Sequence, residues 1–264
     1  IVTLFLYVFF KHNISFKYLY FFTTLGFFSH GLLDSCTSYG TTLYWPISND
    51  RVAWNIISII DPVFTLSLII SAFLCLKYKS TILVRIGLFT SFLYLVLGYI
   101  KHQKISNYIY SIAGQRGHKI ERILLNPTIG NNILWRTVYQ FGNFYYVNAV
   151  YMPIFDLPKF KNGIKLKVID KETIFPELGK GSVQRRDIRR FSYFSQNYIY
   201  LHPSYENVIA DLRYGTLPYD DKSLWGIKIN PAENDKHVTF RKLRNFQNYH
   251  YQRFWEMLKG DLTQ

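Results

Sequence analysis

Charge is what this 264-residue chain is short of: Asp, Glu, Lys and Arg make up 18% of it, where soluble domains carry about 25%. The shortage is uneven. Residues 1–100 hold six cations (Lys11, Lys17, Arg51, Lys77, Lys79, Arg85) and three anions (Asp34, Asp50, Asp61), and residues 101–264 hold the other 25 cations and 14 anions. The second part thus carries +11 of the net +14. This excludes a uniform soluble globule, and the 49% hydrophobic content excludes a disordered chain. Cysteine is scarce as well: Cys36 and Cys75 exclude a disulfide scaffold and say nothing firm about redox compartment. No basic leader precedes the first apolar run and no small-residue cleavage site follows it, so a signal peptide is not expected. The chain opens with Ile1 in the middle of that run, which reads as an N-terminally truncated piece.

What is present is apolar sequence of spanning length. Ile1–Phe10 reads as the end of a transmembrane helix, and Phe16–Leu33, Pro62–Leu76 and Thr81–Ile100 as three more, judged against a hydrocarbon core of ~30 Å. Val52–Ile60 either extends the third span or lies along the interface. Counting spans places the Lys11–Lys17 and Lys77–Arg85 loops on one side with five cations. The 34–51 loop and the chain after Ile100 fall on the other side with three, Arg51, Lys101 and Lys104. The positive-inside rule then favours an outward-facing 34–51 loop and C-terminal domain.

The fold class expected is an α+β membrane protein. It has a transmembrane helical domain over 1–100, a linking amphipathic helix over 101–125 and a soluble antiparallel β-rich domain over 126–264 that ends in a helix. Ile105–Leu125 reads as that amphipathic helix. Strands are predicted at Ile133–Phe141 and Phe144–Phe155, joined by a Gly142-Asn143 hairpin turn. Further strands are predicted at Lys165–Ile169, Arg189–Phe194, Tyr198–Leu201, Asn207–Tyr214 and Ser223–Asn230. In Val238–Lys259, Phe240, Leu243, Phe246, Tyr249 and Phe254 are spaced to cover one helix face.

The stretch richest in chemistry runs from Phe28 to Leu66. His30 and Asp34 are four residues apart at the end of a span, so both side chains lie on one helix face. Imidazole with carboxylate suits zinc, or manganese where oxygen ligands dominate. A His–Asp pair at a helix end also occurs as a plain hydrogen-bonded interfacial pair. Membrane depth favours function, because ionisable groups are costly there and usually face a cavity. Asp61 precedes Pro62, the pairing of an N-cap with an N1 proline, and capping does not exclude ligation by the same carboxylate. Span counting puts Asp61 on the same side as His30 and Asp34. Between them Thr37, Ser38, Tyr39, Gly40, Thr41 and Thr42 form a hydroxyl-rich loop, able to bind phosphate or water or simply to leave the membrane. Tyr44 and Trp45 fit an interfacial aromatic belt. Cys36 has no partner base beyond His30 that would make it a nucleophile.

The string HGLLDSCTSYGTTLYWPISNDR, followed by IIDPVFTL, NPTIGNNILWR and DLRYG, resembles the YdjM-like (DUF457) inner-membrane metal-dependent hydrolases over nearly the whole chain. That family is distantly similar to zinc-dependent phospholipase C and P1 nuclease, whose metal ligands include an HxxxD helix. The resemblance implies metal-ligand roles for His30 and Asp34 and a site role for Asp61. Two upstream family motifs, Pro-Asp-x-Asp and His-Arg…Thr-His-Ser, have no counterpart here; His12 stands in Lys-His-Asn. In the second half Asn131, Asn132, Trp135 and Arg136, and Asp211, Arg213 and Gly215, are expected to be structural.

The function expected is a membrane-bound hydrolase of the bacterial inner (cytoplasmic) membrane, multi-pass, acting on a phosphoester through metal-activated water. Asp34 or Asp61 would accept a proton, and His30, Asp34 and Asp61 would hold a divalent metal, zinc ahead of manganese. The alternative is a non-catalytic membrane anchor whose soluble domain binds a protein or nucleic-acid partner. Membrane lipids are the expected partners. The run Arg185, Arg186, Arg189 and Arg190 reads first as a solvated face, then as a lipid contact, and nucleic acid ranks last. A transporter or channel is disfavoured, since the spans form no repeat and carry few polar residues.

Overall fold

The computed structural model describes residues 1–263. Helices α1 (Val2–Phe10), α2 (Phe16–Ser35), α3 (Pro62–Tyr78) and α4 (Thr81–Gln115) occupy the apolar half. Asp61 and Pro62 start α3 as their sequence dictates: Asp61 is the N-cap, its Oδ1 accepts from the Phe64 amide at 3.2 Å, and Pro62 occupies the first turn. Lys79 ends α3 in the left-handed region (φ 51°), and Ser80 opens α4 at once. The two helices return against each other through small residues. Ser67 and Ser91 place their Oγ atoms 2.8 Å apart, and a Cβ on Gly87 would lie 2.0 Å from Ser71 Oγ. Ser67/Ser71 and Gly87/Ser91 are spaced i, i+4, the pattern that lets helix backbones approach closely in membranes.

Among the described residues, α4 alone is long and apolar enough to cross a membrane; α3 is apolar but shorter, and α1 has nine residues. The four expected spans are therefore helices, but their lengths do not establish four crossings. Residues 52–60 extend no helix. They run as irregular chain over the end of α2, where Ser35 O accepts from Trp54 N (2.7 Å) and Cys36 O from Ile56 N (3.0 Å). Carbonyls that a helix end leaves without partners are satisfied in this way.

The helix expected over 105–125 is instead the continuation of α4 to Gln115, after which β1 begins at Arg122. With 35 residues α4 is about 52 Å long. Its first 20 residues suffice for a bilayer core, and its last turns bury Ile105, Ile109 and Ala113 against the β domain. One rigid element thus joins the two halves. Strands β1 (Arg122–Pro127), β2 (Leu134–Phe141), β3 (Phe144–Tyr151) and β4 (Lys159–Lys167) form one antiparallel sheet in that order, with the predicted Gly142-Asn143 turn between β2 and β3. A second antiparallel sheet has the order β5 (Ile199–Leu201), β6 (Val208–Asp211), β7 (Trp225–Lys228), β8 (Thr239–Lys242).

Alternation along β2 shows how the layers stack. Trp135 and Tyr139 face α4 with Ile105, Ile109 and Val150, whereas Val138 faces the second sheet with Tyr145, Tyr198, Tyr200 and Ala210. Helix α5 (Val183–Phe194) covers the outer face of the second sheet through Ile188 and Phe191. The order is α4, sheet, sheet, α5. Helix α6 (Asn248–Leu258) closes one end, with Met257 against Leu134 and Ala149.

Two predicted elements are corrected. Arg189–Phe194 is helix α5, not a strand, because Ser182 caps it (Oγ accepting from Arg185 N at 3.2 Å) and Gln184, Ile188 and Phe191 share its buried face. The helix expected from Val238 begins only at Asn248; Thr239–Lys242 pairs with β7. The basic run is not one open face either. Arg185 is buried and donates to the carbonyls of Lys171, Ile174 and Phe175, and Arg189 pairs with Glu172 at 2.6 Å.

Candidate functional site

Helix α2 ends where His30 and Asp34 face the start of α3. Both side chains, with Asp61, line one pocket of about 230 Å³ walled by Leu33, Ile57, Ile59, Phe64 and Leu95 and edged by the hydroxyls of Thr37, Ser58 and Thr65. His30 is exposed, Asp34 half-buried and Asp61 3% exposed. The three residues singled out from sequence are therefore brought to one cavity by two helices. Neither His30 nor Asp34 makes a side-chain hydrogen bond or ion pair among the described residues. Asp61 is fully engaged: Oδ1 caps α3, and Oδ2 accepts from the Tyr94 hydroxyl of α4 at 2.8 Å.

Tyr94, which holds Asp61 from behind the pocket lining, is the partner that sequence reading missed, and 33 positions separate the two. A tyrosine inside an apolar span gives no local sign of its partner. Its hydroxyl needs an acceptor when buried, which is the one hint the sequence offers.

The pocket sits where the two halves meet. On its rim, Gly130 N donates to Ile60 O (2.9 Å) and Ser58 Oγ (3.1 Å), and Asn132 Nδ2 reaches Ile56 O at 3.4 Å. Gly98 of α4 passes so close that a Cβ would lie 2.1 Å from Ile56 O. The NPTIGNNILWR segment thus braces the pocket wall; Asn131 Oδ1 accepts from the amides of Ile133 and Leu134, and Trp135 is core. The hydroxyl-rich loop docks on the β domain through Ser38 and Tyr39. Tyr39 stacks on Trp225 and lies against Tyr214, and the Tyr214 hydroxyl donates to Ser38 Oγ at 3.2 Å. Arg51 fastens the loop through the carbonyls of Tyr39 and Gly40, both at 2.8 Å.

Behind this junction, DLRYG supplies a buried ion pair, Arg213 to Asp211 at 2.8 Å. Arg136 Nε donates to Leu212 O, and Nη1 donates to the carbonyls of Leu217, Pro218 and Asp220. The Asp220 carboxylate, 4.0 Å from Arg136, is pushed up to about 6 by burial, which the arginine only partly offsets. Burial likewise raises the Tyr214 and Tyr200 hydroxyls.

By type, one imidazole and two carboxylates suit a divalent cation. Among the described residues, however, no group of three or more His, Cys, Asp or Glu side chains is arranged to hold a metal ion. His30 and Asp34 are the pair with uncommitted donor atoms, and Asp61 has only second lone pairs to offer.

An apolar helical part with a pocket at its boundary, joined by one long helix to a β-rich domain, defines an α+β membrane protein. Residues 1–105 match the family described as YdjM inner membrane protein, so the chain is YdjM-like over its helical part. The match stops before NPTIGNNILWR and DLRYG and so covers less of the chain than the motif resemblance implied. No curated protein and no solved structure matches the chain.

Proposed function

We propose that the protein is a membrane-bound metal-dependent hydrolase acting on a phosphoester at the His30–Asp34–Asp61 pocket. The observation that carries this reading is that three ionisable residues, two from α2 and the N-cap of α3, line one small cavity at the end of the apolar helical part. Such groups are costly at that depth unless they serve a site. His30 and Asp34 would hold a divalent cation, zinc or manganese. When bound, the cation supplies Lewis-acid polarisation of a phosphoryl oxygen and of the attacking water. Asp34 also has an oxygen free to accept the proton of that water. Asp61 has a positioning role: its cap and its bond from Tyr94 fix the start of α3, and with it the Phe64 and Thr65 wall. Loading the purified protein with zinc or manganese and assaying lipid and nucleotide phosphoesters tests the reading.

The finer topology belongs to the same proposal. The exposed faces of α1 to α4 carry large apolar side chains, among them Phe5, Phe9, Phe21, Phe28, Phe73 and Phe89. Contiguous apolar surface of this kind needs a non-aqueous neighbour. We place α2, α3 and α4 together in the inner membrane as a multi-pass bundle, with the 36–61 segment and the β domain on one side.

The absence of an assembled three-residue metal group among the described residues favours a second reading, a non-catalytic anchor whose β domain binds a protein or nucleic-acid partner. The same assay separates the two, since an anchor hydrolyses nothing.

A further inference from the structure

Farther along α4 than the pocket above, and sharing no lining residue with it, lies a second, larger cavity of about 370 Å³, between residues 97–108 and the loop after β3. Its polar wall is cationic. Lys101 is buried, and its Nζ donates to Asn132 O (2.7 Å) and Met152 O (3.0 Å), leaving one N–H of the ammonium without an acceptor. Lys104, one turn on, is exposed and has no ion-pair or hydrogen-bond partner among the described residues. Asp156 also lines the cavity, leaving its net charge at +1; the Asp156 Oδ1 accepts from the Leu157 amide.

The loop that forms the other wall, Pro153–Pro158, is apolar at its tip: Ile154 is 57%, Phe155 99% and Leu157 79% exposed. Three such side chains standing free of the fold are unfavourable in water, at about 25 cal/mol per Å² of apolar surface. Depth explains them. Ile100 is the twentieth residue of α4, ~30 Å from its start, so a bilayer core that begins with α4 ends beside the lysines and the loop that lines the same cavity.

We infer that this cavity binds the headgroup of an anionic phospholipid, with its phosphate on Lys101 and Lys104 and with Ile154, Phe155 and Leu157 inserted among its acyl chains. Charge complementarity and position select the occupant. The cations are set at headgroup depth beside an apolar surface that matches acyl chains, as an interfacial anchor requires. The site is separate from the His30 pocket and does not depend on hydrolysis there. It also gives the β domain a second attachment to the bilayer beside α4.

The test is native mass spectrometry of the full chain released from detergent micelles containing phosphatidylglycerol or phosphatidylcholine in equal amounts. Wild type should retain one phosphatidylglycerol in preference to phosphatidylcholine. Lys104→Glu should lower that retention about 25-fold, at about fivefold for each of the two units of charge it changes near an anionic surface. Phe155→Ser should lower retention of the lipid without changing its charge preference. Lys104 and Phe155 are exposed, so both variants should keep the wild-type circular dichroism spectrum and melting profile. Equal retention of the two lipids, or no effect of Lys104→Glu, would overturn the proposal. So would displacement of the lipid by millimolar inorganic phosphate, which would mark a free-anion site, or a second copy of the chain retained in the lipid's place.

Discussion

The Tyr94 hydroxyl donates to Asp61 Oδ2 across 2.8 Å, tying α4 to the N-cap of α3 beside the candidate pocket. Asp61 thereby serves two partners at once, the Phe64 amide and Tyr94. Tyr94→Phe should cost about 1 kcal/mol. Asp61→Ala should cost about 2–4 kcal/mol, because it removes a cap and leaves a phenol without its acceptor. The double variant should cost less than the two combined, as read by denaturant unfolding in detergent. Strict additivity would show that the contact carries no coupling.

Packing of α3 on α4 should be equally specific. Gly87→Ala places a methyl 2.0 Å from Ser71 Oγ and 2.2 Å from Ser71 Cβ, an overpacking of about 1–3 kcal/mol. Ser71→Gly in the same chain should restore most of the loss. If Gly87→Ala unfolds at the wild-type midpoint, the close approach of the helices is wrong.

Asp220 makes the β domain sensitive to pH in a direction that can be checked. Its folded value of about 6 lies above the ordinary 3.8, so the folded state holds the proton more tightly than the unfolded one. The resulting stability is fully present below pH ~4 and is lost as pH rises through about 6, a change on the order of 3 kcal/mol at roughly 1.4 kcal/mol per pKa unit. Asp220→Asn should flatten the stability profile between those limits. An unaltered slope in that variant would assign the pH dependence elsewhere.

The placement of loop and domain on one side predicts labelling. With Cys36 and Cys75 replaced by serine, single cysteines at Ser48 and Lys222 should react with an impermeant maleimide from the same side of sealed vesicles. The contacts of Tyr39 with Trp225 and of Tyr214 with Ser38 motivate this outcome. Reaction from opposite sides would break the proposed topology.

How much of this was legible in the sequence varies with how local the signal is. Asp61-Pro62, the Gly142-Asn143 turn and the i, i+4 spacing of His30 and Asp34 depend on neighbours in the chain, and each takes its expected local form. The sequence reads as a span ending at Ile100 and a separate helix starting at Ile105, whereas one helix runs through both with Ile105, Ile109 and Ala113 as its buried stripe. The strand predicted at Arg189–Phe194 covers only the second half of α5, and the Ser182 cap and the Gln184–Ile188–Phe191 spacing that carry the helical period lie largely before it. Phe240 belongs to an edge strand that pairs with β7, a pairing that no local pattern encodes. The Tyr94–Asp61 bond and the bracing of residues 56–60 by Gly130 and Asn132 are long-range for the same reason.

The central claim, that the His30 pocket is a metal-dependent phosphoesterase site, is tested most directly by metal content and hydrolysis measured together on wild type, His30→Ala and Asp34→Asn. The account predicts that wild type binds zinc or manganese stoichiometrically and hydrolyses a phosphoester. It predicts that each variant loses at least 100-fold in rate (about 2.7 kcal/mol or more) together with its metal. Both variants should still insert and unfold at the wild-type midpoint, since neither side chain has a partner to lose. A wild-type protein that binds no metal and hydrolyses nothing, or activity that survives both substitutions undiminished, would contradict it.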